Sequence, residues 1–243
     1  KALQSLNICN ILLFLSVLSV LLYMYLHHIH RLLNILLVGC LRHFRSIMLF
    51  CILISFLLYL FANDPIIGGI LFFAVPFIPL MYYLKWDFSA IIRKPSRKDV
   101  LLAFCLFVMY MIYGTVMCFV LESPVTGTDE AVTLQSMIGL IFSLMGEELI
   151  KFIPFLFLMR LSLKLSGNRK VSLVLSAAIV MAFFGLLHTD FTTPSIILQG
   201  LLIQGLGTIF EFYGYFKTKN LLVPYMSHIF TDVFIYSLTF LGF

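Results

Sequence analysis

The stretch LQSMIGLIFSLMGEELIKFIPFLFLM, residues 134–159, determines the class of fold. It is long enough to cross the roughly 30 Å of hydrocarbon in a bilayer. Its centre nevertheless carries two adjacent carboxylates and a lysine, Glu147, Glu148 and Lys151. Because a charged side chain at mid-bilayer costs roughly 2.5–3.5 kcal/mol on insertion scales, such groups are functional candidates. The stretch therefore predicts a membrane helix that carries part of a functional site.

The composition of the whole chain agrees with a membrane protein. Of its 243 residues, 62% are hydrophobic and only 11% are charged, and the mean hydropathy is +1.08. Soluble domains have about 25% charged residues, and the long apolar runs differ from the alternating segments of a membrane barrel. The net charge of +5 lies in short clusters between apolar runs, which argues against nucleic acid as a partner. We predict an all-α integral membrane protein.

The apolar runs predict about eight transmembrane helices. One or two interfacial amphipathic helices accompany them, at 30–45 and in the loop 85–99, which holds the only Trp, a residue typical of headgroup anchors. We predict one integrated membrane domain, with N-terminal helices in residues 1–133 and the catalytic core in 134–243. The predicted spans are 8–26, 46–62, 66–84, 100–121, 134–159, 171–189, 194–214 and 221–242.

The loop charges predict the orientation of these spans. Fourteen of the sixteen Lys and Arg residues follow spans one, three, five and seven, and only Lys1 and Lys151 do not. The intervening loops carry acidic residues alone. Positive loops stay in the cytoplasm, so the odd-numbered loops are predicted to be cytoplasmic and both termini to lie outside.

Within span five, one lysine faces two carboxylates. Glu147 lies four residues before Lys151 and Glu148 lies three before it, and either spacing allows contact on a helix. One lysine compensates one carboxylate, so the other should stay under-compensated in a medium of low dielectric constant. Such a carboxylate is suited to act as a general base. The alternative is a structural Glu–Lys pair that holds the helices together.

Two later spans carry histidines near aromatic or acidic side chains. In span six, Phe184 and His188 share a helix face, and in span eight His228 and Asp232 do the same. Each pair taken alone is explained by packing or by interfacial placement. Together with the glutamates they provide what is needed to activate a water and stabilise an oxyanion. The same groups include possible zinc ligands, in which case the set would be Glu147, His188 and His228.

The motifs EExxK (147–151), FxxxH (184–188) and HxxxD (228–232), in this order on three late spans, resemble those of a known family. They are similar to the intramembrane endopeptidases of the CAAX protease and bacteriocin-processing (CPBP, or Abi) family, whose usual pattern is EExxxR, FxxxH and HxxxN or HxxxD. The Gly-rich segment before His228 and the Pro224 that precedes it strengthen the resemblance. It covers roughly residues 134–236.

The resemblance implies a protease that cuts a membrane-associated peptide or protein. By motif position, Glu147 and His188 would activate the water, Glu148 would support Glu147, and His228 with Asp232 would hold the oxyanion. Lys151 and Phe184 would support the site. Both a zinc-dependent and a metal-free mechanism are proposed for the family. A bacterial cytoplasmic membrane is the location that the resemblance suggests.

The chain also departs from the family pattern. Phe152 stands where the family has arginine, and the nearest cation is Lys151. EExxK resembles the first motif of PrsW-type proteases, whose middle motif is FxxxE, whereas this chain has His188 there. The sequence also places His188 toward the outer surface and His228 about 11 Å from the cytoplasmic end of its span, so how they meet stays open.

Two other functions use the same residues. In a membrane immunity, scaffold or regulatory protein, the Glu–Lys and His–Asp pairs would be structural. In an ion-coupled or proton-coupled transporter they would relay protons. The sequence has no inverted repeat of the kind common in transporters, which makes that interpretation weaker.

Overall fold

The computed structural model describes residues 39–122, 133–189 and 191–240, and every regular element in these ranges is helical. The helices are α1 (Gly39–Phe61), α2 (Pro65–Tyr83), α3 (Arg97–Val120), α4 (Leu134–Ser166), α5 (Arg169–Leu187), α6 (Pro194–Gln199), α7 (Ile209–Thr218) and α8 (Leu222–Phe240). A π-helical segment, Gly200–Gly205, joins α6 to α7. The all-α class predicted from composition is confirmed.

Four helices in the described part are long and apolar enough to cross a membrane. They are Pro65–Tyr83, Arg97–Val120, Arg169–Leu187 and the combined helix Pro194–Thr218. The chain is thus an integral membrane protein, but the predicted number of eight spans is not confirmed. The predicted span 8–26 lies outside the described residues.

The two predicted interfacial helices differ from what the structure contains. Residues 39–45, the end of the first predicted segment, belong to α1 and continue without a break into its apolar part, and 30–38 lie outside the described residues. In the second segment, the backbone turns at Lys85 and Trp86, both with positive φ, and forms the 3₁₀-helix Phe88–Ala90 before α3 begins at Arg97. Between the turn at Lys85 and the start of α3 at Arg97, the chain therefore forms no amphipathic α-helix of the kind predicted.

Helix α4 forms the centre of the described part. Its 33 residues span about 50 Å, and it continues without interruption through Pro154. Helix α2 packs along it so closely that a Cβ on Gly69 would lie 2.4 Å from the carbonyl oxygen of Gly139. On other sides α4 contacts α5 and α8. The motif helices are thus packed around α4.

Loop contacts agree with the pairing of loops predicted from charge. At one end of the helices, the Gln135 amide donates to the Asp64 carboxylate at 2.6 Å. At the other end, the Arg93 guanidinium donates to the backbone oxygens of Thr218 and Lys219. The acidic loop that holds Asp64 therefore meets the start of α4, and the basic loop before α3 meets the basic turn after α7. Which end faces the cytoplasm stays a prediction.

Candidate active site

A buried lysine stands between two buried glutamates. Lys151 Nζ lies 2.6 Å from Glu148 Oε1 and is also bonded to Glu211 Oε2. The Lys151 and Glu148 side chains are 1% and 0% exposed, and that of Glu211 is 9% exposed. Buried charges persist when they are paired and hydrogen-bonded. Lys151 is therefore the counter-ion that allows both carboxylates to be buried.

His228 on α8 joins this group through one ring nitrogen. Its Nδ1 lies 2.9 Å from Glu148 Oε1 and 3.6 Å from Glu211 Oε1. It is also 3.5 Å from Lys151 Nζ. A carboxylate only accepts hydrogen bonds, so the Glu148 bond requires a proton on Nδ1. That bond orients the imidazole ring.

The second nitrogen of His228 faces the more open part of the cluster. Nε2 lies 3.8 Å from Glu147 Oε2 and 3.9 Å from Asp232 Oδ1. Both distances exceed those of a hydrogen bond, so these atoms are close but not bonded to one another. The Glu147 and Asp232 side chains are 20% and 25% exposed. These two carboxylates are the ones in the cluster that a water or a substrate group could reach.

The sequence left open which glutamate pairs with the lysine. In the structure it is Glu148, three residues before Lys151, while the part of the chain that is described gives Glu147 no bond to that lysine. The under-compensated carboxylate is therefore Glu147. Among the described residues, Oε2 of Glu148 has no hydrogen-bond partner, and it is buried.

His188 lies next to the cluster but not within it. Among the described residues, the hydrogen-bond partner of its ring is the Phe184 carbonyl, 2.9 Å from Nδ1. The His188 ring also packs on the Phe184 ring, with centroids 4.5 Å apart. Lys151 Nζ lies 4.7 Å from the centroid of that Phe184 ring. Phe184 therefore contacts both the exposed His188 ring and the Lys151 ammonium, and within the described residues His188 has no hydrogen bond to the ionic cluster.

Glu211 is the residue of the cluster that sequence reasoning missed. Its position near the end of span seven suggested a solvated side chain or a pair with Lys217. Instead it is buried at the first turn of α7 and is bonded to Lys151. The π-helical segment just before α7 changes the helix register there, and such segments are frequent at functional sites. The available signal was a carboxylate inside an apolar span.

The cluster also borders a small cavity. The volume of this cavity is about 10 Å³, which is room for about one water molecule. It lies between α3, α7 and α8, and polar atoms of the cluster reach it. Its lining residues are Tyr110, Phe210, Glu211, Ser227, His228 and Thr231.

The possible metal ligands do not match the set predicted from sequence. In the described ranges, the group of three potential ligands within 4.8 Å of one another is Glu148, Glu211 and His228. Lys151 Nζ lies among these atoms and is bonded to both carboxylates. A zinc ion needs ligand distances near 2 Å and would compete with the ammonium for the same oxygens. The group as arranged does not fit a metal ion.

Comparison with known proteins identifies a family over the motif-bearing part of the chain. Residues 129–234 match the model of the family described as type II CAAX prenyl endopeptidase, Rce1-like. No curated protein and no solved structure matches the chain. The matched segment contains all three motifs and Glu211. Residues 129–234 thus resemble the Rce1-like CAAX endopeptidases, and the resemblance to the CAAX protease family that the motifs indicated is confirmed over this segment.

Proposed function

We propose that this protein is an intramembrane endopeptidase that cleaves a membrane-associated peptide by means of a water activated at Glu147. The proposal rests on one observation: the two adjacent glutamates differ in exposure and in their bonded partners. Glu148 is fully buried and bonded to Lys151 and His228. Glu147 is partly exposed and lies 3.8 Å from the second nitrogen of His228. A carboxylate that is open to water and lacks a bonded cation is suited to take a proton.

In the proposed reaction, a water bound at Glu147 attacks the scissile carbonyl carbon. Glu147 takes a proton from the water as the new carbon–oxygen bond forms. His228 Nε2 donates a hydrogen bond to the carbonyl oxygen, which becomes an oxyanion, and Asp232 stabilises the imidazolium. When the carbon–nitrogen bond breaks, Glu147 returns the proton to the leaving amine. One water is consumed, and a carboxylate and an amine are formed.

The buried groups have a positioning role in this proposal. Glu148 holds Nδ1 of His228, so that Nε2 is directed toward Glu147 and Asp232. Lys151 binds the same oxygen of Glu148 as His228 does, and Glu211 in turn binds Lys151. We propose that His188 assists at the water or at the leaving amine, because its Nδ1 is bonded to Phe184 and its ring is exposed.

We further propose that the reaction needs no metal ion. The ammonium of Lys151 lies among the oxygens that would bind one. The non-enzymatic alternative explains the buried Lys151, Glu148 and Glu211 as structural pairs. It gives no reason for the partly exposed carboxylates of Glu147 and Asp232 beside His228.

The test is cleavage of a panel of membrane-anchored peptides by purified protein in proteoliposomes. Glu147→Gln should abolish cleavage, whereas Glu122→Gln, the same change at an exposed loop residue, should leave it unchanged. The thermal midpoint of Glu147→Gln in detergent should stay near that of the wild type. Cleavage at the wild-type rate by Glu147→Gln would reject the proposed role of Glu147.

A further inference from the structure

A second polar cavity lies away from the carboxylate cluster, at the end of the molecule where the basic loops meet. Its volume is about 550 Å³, within the range typical of small-molecule sites. Segments from three parts of the chain form it: the loop before α3, the first turns of α3 and the end of α7. Its lining residues are Arg93, Lys94, Lys98, Asp99, Leu102, Lys217, Thr218 and Asn220.

Hydrogen bonds between two segments of the chain fix the wall of this cavity. The Asn220 side chain accepts from the Arg93 amide at 3.1 Å and donates to the Arg93 carbonyl at 2.8 Å. The Leu221 amide donates to the Ile91 carbonyl at 2.8 Å. Asn220 is buried. The loop before α3 is therefore fixed against the turn between α7 and α8.

The cavity has a surplus of positive charge. Arg93 is used in capping the end of α7, through its bonds to the Thr218 and Lys219 oxygens. Within the described ranges, Lys94, Lys98 and Lys217 have no carboxylate partner. The acid that lines the cavity, Asp99, accepts a hydrogen bond from the Ser96 amide at 2.8 Å as part of a capping box. The three lysines and Arg93 therefore share a space with a single lining carboxylate among the described residues, that of Asp99, so positive charge is in excess.

We infer that this cavity binds the phosphate group of an anionic membrane lipid. Basic pockets between transmembrane helices are suited to anionic headgroups. The position of the cavity favours a lipid as the source of the phosphate: Leu102 lines it, and Leu101 and Phe104 on the same helix expose apolar surface along which acyl chains would lie. The lysines supply the charge, and the fixed loop defines the width of the site.

The cavity is separate from the proposed catalytic cluster. Lys217 lies six residues after Glu211 on α7, or about 9 Å along the helix axis. The residues that line the cavity include none of the carboxylate cluster, and Leu106 and Val223, with Phe210 packed on them, form a separate buried apolar cluster. The inference therefore does not depend on proteolysis and stands if the protein cleaves nothing.

The test compares two variants that each lose three positive charges. The cavity variant carries Lys94→Gln, Lys98→Gln and Lys217→Gln. The control carries Lys164→Gln, Arg169→Gln and Lys170→Gln, which are exposed around the α4–α5 turn. Binding of dihexanoyl phosphatidylglycerol and of dihexanoyl phosphatidylcholine is measured in detergent by the shift of the thermal midpoint. Inorganic phosphate is titrated as a third ligand.

The wild type and the control should bind the phosphatidylglycerol with similar affinity, and the phosphatidylcholine more weakly. The cavity variant should bind the phosphatidylglycerol about tenfold more weakly or worse, because each basic group near an anionic lipid contributes substantially. Inorganic phosphate that stabilises the wild type as strongly as the lipid would overturn the lipid as the source. Equal affinity for phosphatidylglycerol in the cavity and control variants would overturn the site itself.

Discussion

Lys151 on α4 is bonded to Glu211 on α7, although 60 residues separate them in the sequence. Both side chains are almost completely removed from solvent. Since removing one partner of a buried ion pair leaves an uncompensated charge, we expect the pair to be strongly coupled. This contact joins α4, which carries the first motif, to α7, which directly precedes the helix of the third motif, α8.

The first prediction is that the two residues show a large coupling energy. Lys151→Met alone should destabilise the protein by about 3–5 kcal/mol, because it leaves Glu148 and Glu211 buried without a cation. Glu211→Gln in the Lys151→Met background should recover part of that loss. The measurement is a double-mutant cycle of unfolding in detergent. Additive effects, with a coupling below about 0.5 kcal/mol, would contradict the buried pair.

The second prediction separates the adjacent glutamates. Glu148→Gln should lower the thermal midpoint clearly, since its carboxylate is fully buried and bonded to both Lys151 and His228. Glu147→Gln should change the midpoint little, because that side chain is partly exposed and has no bond to the lysine. Thermal unfolding of the two variants side by side checks this. Equal destabilisation would mean that both glutamates have a structural role.

The order and spacing of the motif helices could be predicted from the sequence, but the pairing inside the site could not. An i,i+3 and an i,i+4 partner are equally acceptable to a lysine on an isolated helix. The choice of Glu148 depends on Glu211 and His228, which approach Lys151 from two other helices. That approach is set by how the helices pack, and no local pattern carries it.

Long-range packing also explains the differences at His188 and at the predicted metal ligands. The motif spacing brings Phe184 and His188 to one face, and the structure agrees. That the Phe184 ring contacts both His188 and Lys151 depends on how α4 packs against α5. The potential ligands that lie within 4.8 Å of one another in the described residues are Glu148, Glu211 and His228, and the ligand set of Glu147, His188 and His228 stays a prediction.

A third prediction concerns His188. Because its side chain is exposed and its ring has a single hydrogen bond, His188→Gln should leave the thermal midpoint nearly unchanged. If it assists proton transfer, cleavage should fall by about 100-fold or more. Initial rates are measured with the peptide that the wild type cleaves best. Cleavage at half the wild-type rate or higher would remove His188 from the mechanism.

The fourth prediction tests the close approach of α5 to the π-helical segment. A Cβ on Gly185 would lie 2.6 Å from the Gly200 carbonyl oxygen, which is backbone and has little room to move. Gly185→Ala should therefore destabilise the protein by roughly 1–3 kcal/mol. The control is Gly114→Ala on α3, where a Cβ meets nothing within 4 Å and should stabilise the helix slightly. Similar midpoints for the two variants would contradict this packing.

Glu147 is proposed to activate a water without a metal ion. The most direct measurement is the rate of peptide cleavage before and after exhaustive treatment with a chelator, for the wild type and for Glu147→Gln. Products are identified by mass spectrometry. We expect the wild type to keep its full rate after chelation and Glu147→Gln to form no product under either condition. Two results would contradict the proposed metal-free role of Glu147. One is wild-type cleavage that is lost on chelation and restored by zinc, and the other is normal cleavage by Glu147→Gln.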